Sequence, residues 1–272
     1  MSMREITNEE FEAMQARSRE KEYLLVDVRQ PEEYRAGHLP GATLMPLQDL
    51  PERIEELPQN RNIVFYCRSG IRSRAAATAL AGMQEFKGDM LNLSGGMIGW
   101  QGVVLPDQPR LHLFPPTDNQ AESLLQAMSL ERGAARIYET MLNQYAGESW
   151  AAPLEGMAAD ETAHALLLYR AMQQYQKDLP AFDVLYGQVP DNLIEGGFSR
   201  ENIEAELARP GGMPCVVVYE LALAIEYAAY DLYRSLAQRF RKDSVAGVFL
   251  GIAQAEKGHL RRAAEALNNC PH

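Results

Sequence analysis

Seven side chains in this sequence have types and spacings suited to chemistry: one cysteine, and a set of four glutamates and two histidines. Cys67 closes the apolar run Phe65-Tyr66-Cys67 and opens C-R-S-G-I-R-S-R, Cys67 to Arg74, before the strong helix-former run Ala75 to Leu80. A thiol between the end of a strand and the start of a helix meets unpaired backbone N–H groups and the positive end of the helix dipole. That setting lowers a thiol pKa below its free value of ~8.5 and favours the nucleophilic thiolate. No acidic residue stands between Glu56 and Glu85, while Arg61, Arg68, Arg72 and Arg74 do. The loop is expected to attract an anionic substrate and to stabilise an anionic intermediate. Cys215, at the start of an apolar helix, and Cys270, in the polar tail N-N-C-P-H, read as structural cysteines that form no disulfide framework.

The second set lies further along. Glu161-Thr-Ala-His164 and Glu256-Lys-Gly-His259 both read E-x-x-H. Residues three apart share a helix face, so each motif can aim a carboxylate and an imidazole at one ion. Glu131 precedes Glu161 by 30 residues, and Glu226 precedes Glu256 by the same interval. Tyr138 and Tyr233 follow the two upstream glutamates by seven, Ala134 and Ala229 by three, and the whole set recurs at an offset of 95. This is a duplicated helix pair. Two lone glutamates and two E-x-x-H motifs projecting inward from four helices are the ligand set of a carboxylate-bridged di-iron or di-manganese site. Four carboxylates offset the charge of two divalent ions, so the set can be buried together. Two metal ions, iron or manganese, are expected on Glu131, Glu161, His164, Glu226, Glu256 and His259.

The elements that must position these residues divide the chain. Pro106, Pro109, Pro115 and Pro116 form a run that is neither helix nor central strand. Three segments follow: 1–105, a linker over 106–117, and 118–272. Before the linker, apolar runs at Tyr23 to Val28, Asn62 to Tyr66 and Met90 to Leu93 alternate with helical stretches, which predicts an α/β parallel sheet. After it, no strand is evident. Helical spacing over Ser123 to Tyr145, Ala159 to Tyr175, Val216 to Leu236 and Val245 to Leu267 predicts an all-α four-helix bundle with a long crossover. The net charge of −11 argues against nucleic acid, and no apolar stretch is long enough for a membrane helix. The acidic, polar first ten residues do not read as a secretory signal. A soluble, reduced, cytoplasmic protein is expected.

The first segment resembles the rhodanese family of sulfurtransferases over about residues 3–104. L-L-V-D-V-R (Leu24 to Arg29), P-E-E-Y-R-A-G-H-L-P-G-A (Pro31 to Ala42), the six-residue C-R-S-G-I-R loop and L-S-G-G-M-I-G-W (Leu93 to Trp100) carry the resemblance. It implies that Cys67 forms a persulfide, that Arg68 and Arg72 line the loop, and that backbone amides across Ser69, Gly70, Ile71 and Ser73 cradle the sulfur. Asp27 and Arg29 would support the loop and pair within the fold. His38, before a turn, would be structural. The loop length implies sulfur rather than phosphate or arsenate chemistry.

The last segment, over about 118–268, resembles the ferritin-like superfamily and rubrerythrin in particular, with E-R-G-A-A-R-I-Y (Glu131 to Tyr138) similar to the first-helix motif. That resemblance implies a di-iron centre bridged by Glu161 and Glu256, with Glu131 and Glu226 terminal and one histidine on each ion. Two departures stand out. No rubredoxin module is present, so electrons would come from an external donor or from thiols. Ala229 occupies the position where rubrerythrins often carry a further carboxylate. Homodimers are expected, since such bundles often associate. The leading reading is sulfane-sulfur transfer from thiosulfate or a persulfide through Cys67 to a thiol or cyanide, fused to a di-iron redox or metal-binding domain. The alternatives are a di-iron oxidase or peroxidase using the first domain as thiol reductant or docking module, and a non-catalytic iron-binding module.

Overall fold

The computed structural model describes residues 3–115, 119–209 and 211–271, which divide into two compact units, Met1–Gln108 and Pro109–His272. Strands β1 (Met3–Ile6), β2 (Tyr23–Asp27), β3 (Thr43–Leu44), β4 (Asn62–Tyr66) and β5 (Met90–Leu93) form the sheet of the first unit. They are all parallel, in the order β1-β5-β4-β2-β3. Helices α1 (Asn8–Arg17), α2 (Pro31–Ala36), α3 (Leu50–Arg53), α4 (Ile71–Ala81) and α5 (Gly96–Gly99) complete it.

Alternation along the strands sends neighbouring side chains to opposite faces. Leu24, Val26, Ile63 and Phe65 pack with Ala76, Ala77 and Leu80 of α4 on one face. Tyr23, Leu25, Val64 and Tyr66 pack with Phe11 of α1 and Tyr34 of α2 on the other. Both faces are covered, as a parallel sheet requires. β4 lies in the middle of the sheet, so Cys67 emerges at a carboxyl end, where open α/β sheets place their sites.

The second unit holds α6 (Gln120–Gln144), α7 (Ala152–Met172), α8 (Phe182–Gln188), the short strands β6 (Leu193–Ile194) and β7 (Phe198–Ser199), α9 (Arg200–Leu207), α10 (Pro214–Arg239) and α11 (Val245–Asn268). α6 packs on α7 and α10 on α11, each as a hairpin. The small antiparallel ladder of β6 and β7 lies in the crossover between α7 and α10, where no strand was expected. The described part of the proline-rich stretch is fastened within each unit. The Asp107 amide bonds the Arg35 carbonyl at 2.8 Å in the first unit, whereas Phe114 is buried in the second unit's core. Pro116 and Thr117, expected in the linker, lie outside the described residues.

The expectation of unpaired, reduced cysteines is corrected. Cys215, at the start of α10, and Cys270, just after α11, form a disulfide with 5.6 Å between their Cα atoms. They are 55 residues apart in sequence. The antiparallel register of two helices of nearly equal length brings them together, and cysteine spacing carries no signal of that. Among the described residues, no helix is long and apolar enough to cross a membrane.

Candidate functional site

The Cys67 side chain sits in a cup of neutral donors. The Gly70 N–H donates to its Sγ at 3.2 Å and the Ser73 hydroxyl at 3.4 Å. Burial pushes the thiol pKa up, but the Ser73 hydroxyl and the amides of Ser73, Ser69 and Gly70 outweigh it and hold the thiol below its ordinary value. The base of the loop is clamped from α5. The Met97 N–H donates to the Cys67 carbonyl and the Ile98 N–H to the Arg68 carbonyl, both at 3.0 Å. A Cβ at Gly96 would lie 2.2 Å from the Cys67 carbonyl oxygen, so only glycine permits this approach.

The loop is less cationic than its own residues suggest. The Arg72 guanidinium donates to both Glu33 oxygens, each at 2.7 Å, while its charge is still felt at Cys67. The Arg72 bond draws the Glu33 carboxyl down to about 2. Arg74 pairs with Glu5 at 2.7 Å. Both acids come from other elements of the unit, beyond the acid-free window read in the sequence. Arg68 and Ser69 are exposed, as is Ile71 at 76%. Asp27 and Arg29 form a buried pair at 2.7 Å, with Arg29 also donating to the Gly37 carbonyl and lying over the Tyr66 ring. His38 is fully buried, stacked on Tyr34.

In the second unit all six metal-type residues converge. Glu131 comes from α6, Glu161 and His164 from α7, Glu226 from α10, Glu256 and His259 from α11; the four glutamates are 0% exposed. Two groups emerge, Glu131–Glu161–His164–Glu256 and Glu161–Glu226–Glu256–His259, each with its ligand atoms within 4.8 Å of one another. Glu161 and Glu256 belong to both. His164 Nδ1 lies 3.1 Å from Glu161 and 3.3 Å from both Glu131 and Glu256. His259 Nδ1 lies 3.0 Å from Glu256 and 3.1 Å from both Glu161 and Glu226. Burial pulls both imidazoles toward neutrality, yet the surrounding carboxylates push His164 up to about 12 and His259 higher still. Glu131 Oε2, Glu161 Oε1 and both Glu256 oxygens accept no well-aligned hydrogen bond; their close polar neighbours are the imidazole nitrogens. Buried acceptors left under-satisfied are costly, and four converging carboxylates with few donors among them suit a cation.

The duplicated tyrosines cross over. Tyr138 O–H donates to Glu226 and Tyr233 O–H to Glu131, so each half of the duplication holds a glutamate of the other. Two further residues were not anticipated. Asp160 lies 3.3 Å from His259 Nε2 and accepts from Arg262 at 2.9 Å, the outer partner that orients a ligating imidazole. Its counterpart at the 95-residue offset is Ala255, so the repeat hides it. The other is Glu195, 0% exposed in the crossover.

A family model for the rhodanese-like domain matches residues 7–102, and one for rubrerythrin matches residues 122–205. The sulfurtransferase of Allochromatium vinosum is 44% identical over 86 residues, covering 32% of this chain and 78% of that protein. The thiosulfate sulfurtransferase GlpE of Pseudoalteromonas translucida is 28% identical over 83 residues, covering 30% of this chain and 77% of that one. Among solved structures, a rhodanese-like domain protein from Staphylococcus aureus is 29% identical, with a TM-score of 0.35, covering 39% of this chain and all of that one.

Proposed function

The chain belongs to the rhodanese-like family, in a fusion with a rubrerythrin-type helical domain, and from that premise we propose that it transfers sulfane sulfur through Cys67 beside a di-iron centre. The observation that carries the first part is the neutral-donor cup around the Cys67 sulfur. The thiolate attacks the outer sulfur of thiosulfate, the S–S bond breaks, and sulfite leaves with the electron pair. Cys67 is left as a persulfide, whose terminal charge the amides across Ser69 to Ser73 accept. An acceptor thiolate or cyanide then takes the outer sulfur and returns Cys67 to the thiolate. Exposed Arg68 and half-buried Arg72 attract the anionic donor. Asp27 and Arg29 brace the strand end behind the loop. Thiosulfate is named for one of the relatives, and the anionic donor it represents suits this loop.

In the helical unit, Glu131, Glu161, His164, Glu226, Glu256 and His259 would hold two ions, with Glu161 and Glu256 common to both ligand groups and one histidine in each. The carboxylate and imidazole donors suit iron, with manganese the next choice. Such a centre, when loaded, supplies electron transfer to or from oxygen or peroxide. Tyr138 and Tyr233 hold Glu226 and Glu131 in place, and Asp160 holds His259.

Sulfur transfer from thiosulfate to cyanide, measured together with metal content on the same preparations, tests both parts. The parent should transfer sulfur and carry two ions per chain. Cys67→Ser should abolish transfer and leave metal content unchanged, whereas Cys215→Ser and Cys270→Ser should retain transfer. Wild-type transfer by Cys67→Ser would remove the first part; a folded parent that takes up no ferrous or manganous ion would remove the second.

A further inference from the structure

Six ligand residues follow from the duplication, but a seventh chemically competent group is buried beside them. Glu195 follows β6 in the crossover, outside all four bundle helices. It is 0% exposed, and neither carboxyl oxygen has a hydrogen-bond partner. Its strongest electrostatic neighbours are Glu131, Glu161, Glu256 and Glu226, in that order, and its charge is also felt by Tyr138 and Tyr233. The segment that carries Glu195 lies against α6 at Gly133, two residues after Glu131, and against α10 at Ala228, two residues after Glu226, which sets Glu195 at the level of those two glutamates.

The crossover is built to hold it there. A Cβ at Gly133 of α6 would lie 1.9 Å from the Leu193 carbonyl oxygen, and one at Gly196 would lie 2.3 Å from Ala228 Cβ on α10. Those glycines let the segment press between two bundle helices. Ser129 donates to the Pro190 carbonyl at 2.7 Å and Arg132 to the Val189 carbonyl, fastening the approach to α6. Ile194, beside Glu195, is fully buried in the bundle core. An ionised carboxylate pinned this firmly among other carboxylates is destabilising unless a cation joins them.

We propose that Glu195 is a fifth carboxylate of the centre, an oxygen ligand delivered by the crossover to the cation held by Glu131, Glu161, His164 and Glu256. The assignment rests on the di-metal reading above and adds to it that the two cation positions are unequal. The Glu131 position gains an oxygen donor. The Glu226 position instead has His259 backed by Asp160. Five carboxylates carry one charge more than two divalent cations neutralise, so Glu195 favours a higher cation charge on its own side.

The test is anaerobic titration of the full-length, metal-free protein with Mn(II) or Fe(II), read by calorimetry, alongside Tm with and without metal. Glu195→Gln keeps the shape and removes the charge; Glu195→Asp keeps the charge; exposed Glu201→Gln serves as control. The parent should bind two ions in two unequal steps. Glu195→Gln should weaken one step by at least about tenfold, leave the other in place, and shrink the metal-induced rise in Tm. Glu195→Asp should recover part of the lost affinity, and Glu201→Gln should match the parent. Isotherms of Glu195→Gln that superimpose on the parent's, or that weaken both steps equally, would overturn the assignment while leaving the centre standing. An equal loss of Tm with and without metal would make Glu195 purely structural and overturn it as well. A parent that binds no ion would overturn the centre, and Glu195 with it.

Discussion

At Cys67 one negative charge meets local donors, the Gly70 N–H and the Ser73 hydroxyl, both from residues within six positions of the cysteine. In the helical unit four glutamates, each 0% exposed, are brought together from four different helices, with two imidazoles among them. The thiol site is complete as the chain folds, because its donors come from the same loop as its nucleophile. The carboxylate centre assembles charge that the protein alone does not balance, so its stability and its ligand are linked. Local construction makes a site robust to distant change, whereas construction from separate helices makes every ligand answerable for the others.

The sharpest break in that comparison comes from the shared carboxylates. Glu161→Ala or Glu256→Ala should each abolish binding of both ions and lower the Tm of the metal-loaded protein, because each residue belongs to both ligand groups. The pair should behave alike, given the duplication, and thiosulfate:cyanide transfer should survive in both. Metal analysis and thermal unfolding check this; retained metal in either variant would contradict the shared-ligand geometry.

A smaller effect sharpens the local side. Ser73→Ala removes a hydroxyl donor to Cys67 and should raise the pH at which the thiol becomes alkylated by iodoacetamide. The thiolate is the reactive form, so transfer falls as pH drops through the thiol pKa, and the variant should lose rate at a higher pH than the parent. At pH 7 a several-fold slower alkylation is expected. An unchanged alkylation profile would place the control of the thiol in the backbone amides alone.

The smallest effect belongs to the Glu33–Arg72 pair. Glu33 is held at about 2, against 4.5 for the free group, so its contribution to stability is full above about pH 4.5 and lost as pH falls through about 2. Both partners keep about a third of their side-chain surface exposed, which limits the contribution to below about 1 kcal/mol. Glu33→Gln should therefore shift Tm slightly at pH 7 and progressively less as pH falls through about 2. It should also free Arg72 and lower the thiosulfate KM modestly. A larger loss of Tm than of KM would mark the pair as structural.

Much of this was legible in the residues. The β4 and β5 runs are mostly apolar and match the observed strands, and the four bundle helices announce themselves by apolar spacing. β1 was not legible: Met-Arg-Glu-Ile at a sheet edge has one buried position and no run. The six metal-type residues were visible because duplication repeats their intervals. Glu195 was invisible to that logic, since it comes from an unrepeated crossover; its only signal is an acid set after Leu-Ile and before two glycines. The neutralising acids Glu5 and Glu33 were missed because charge was read along the chain, whereas the sheet and α2 set those pairs in space.

The Cys215–Cys270 bond makes the two halves of the duplication unlike in their connectivity. It closes a covalent ring between residues 55 apart in sequence that contains Glu226, Glu256 and His259, while Glu131, Glu161 and His164 lie on open chain. In the chain-entropy picture such a ring removes about 4 kcal/mol of freedom from the unfolded chain. When the bundle opens, three of its ligands stay tethered within one loop, and the other three disperse. Recovery of the centre then asks a shorter search of Glu226, Glu256 and His259 than of the three ligands on open chain.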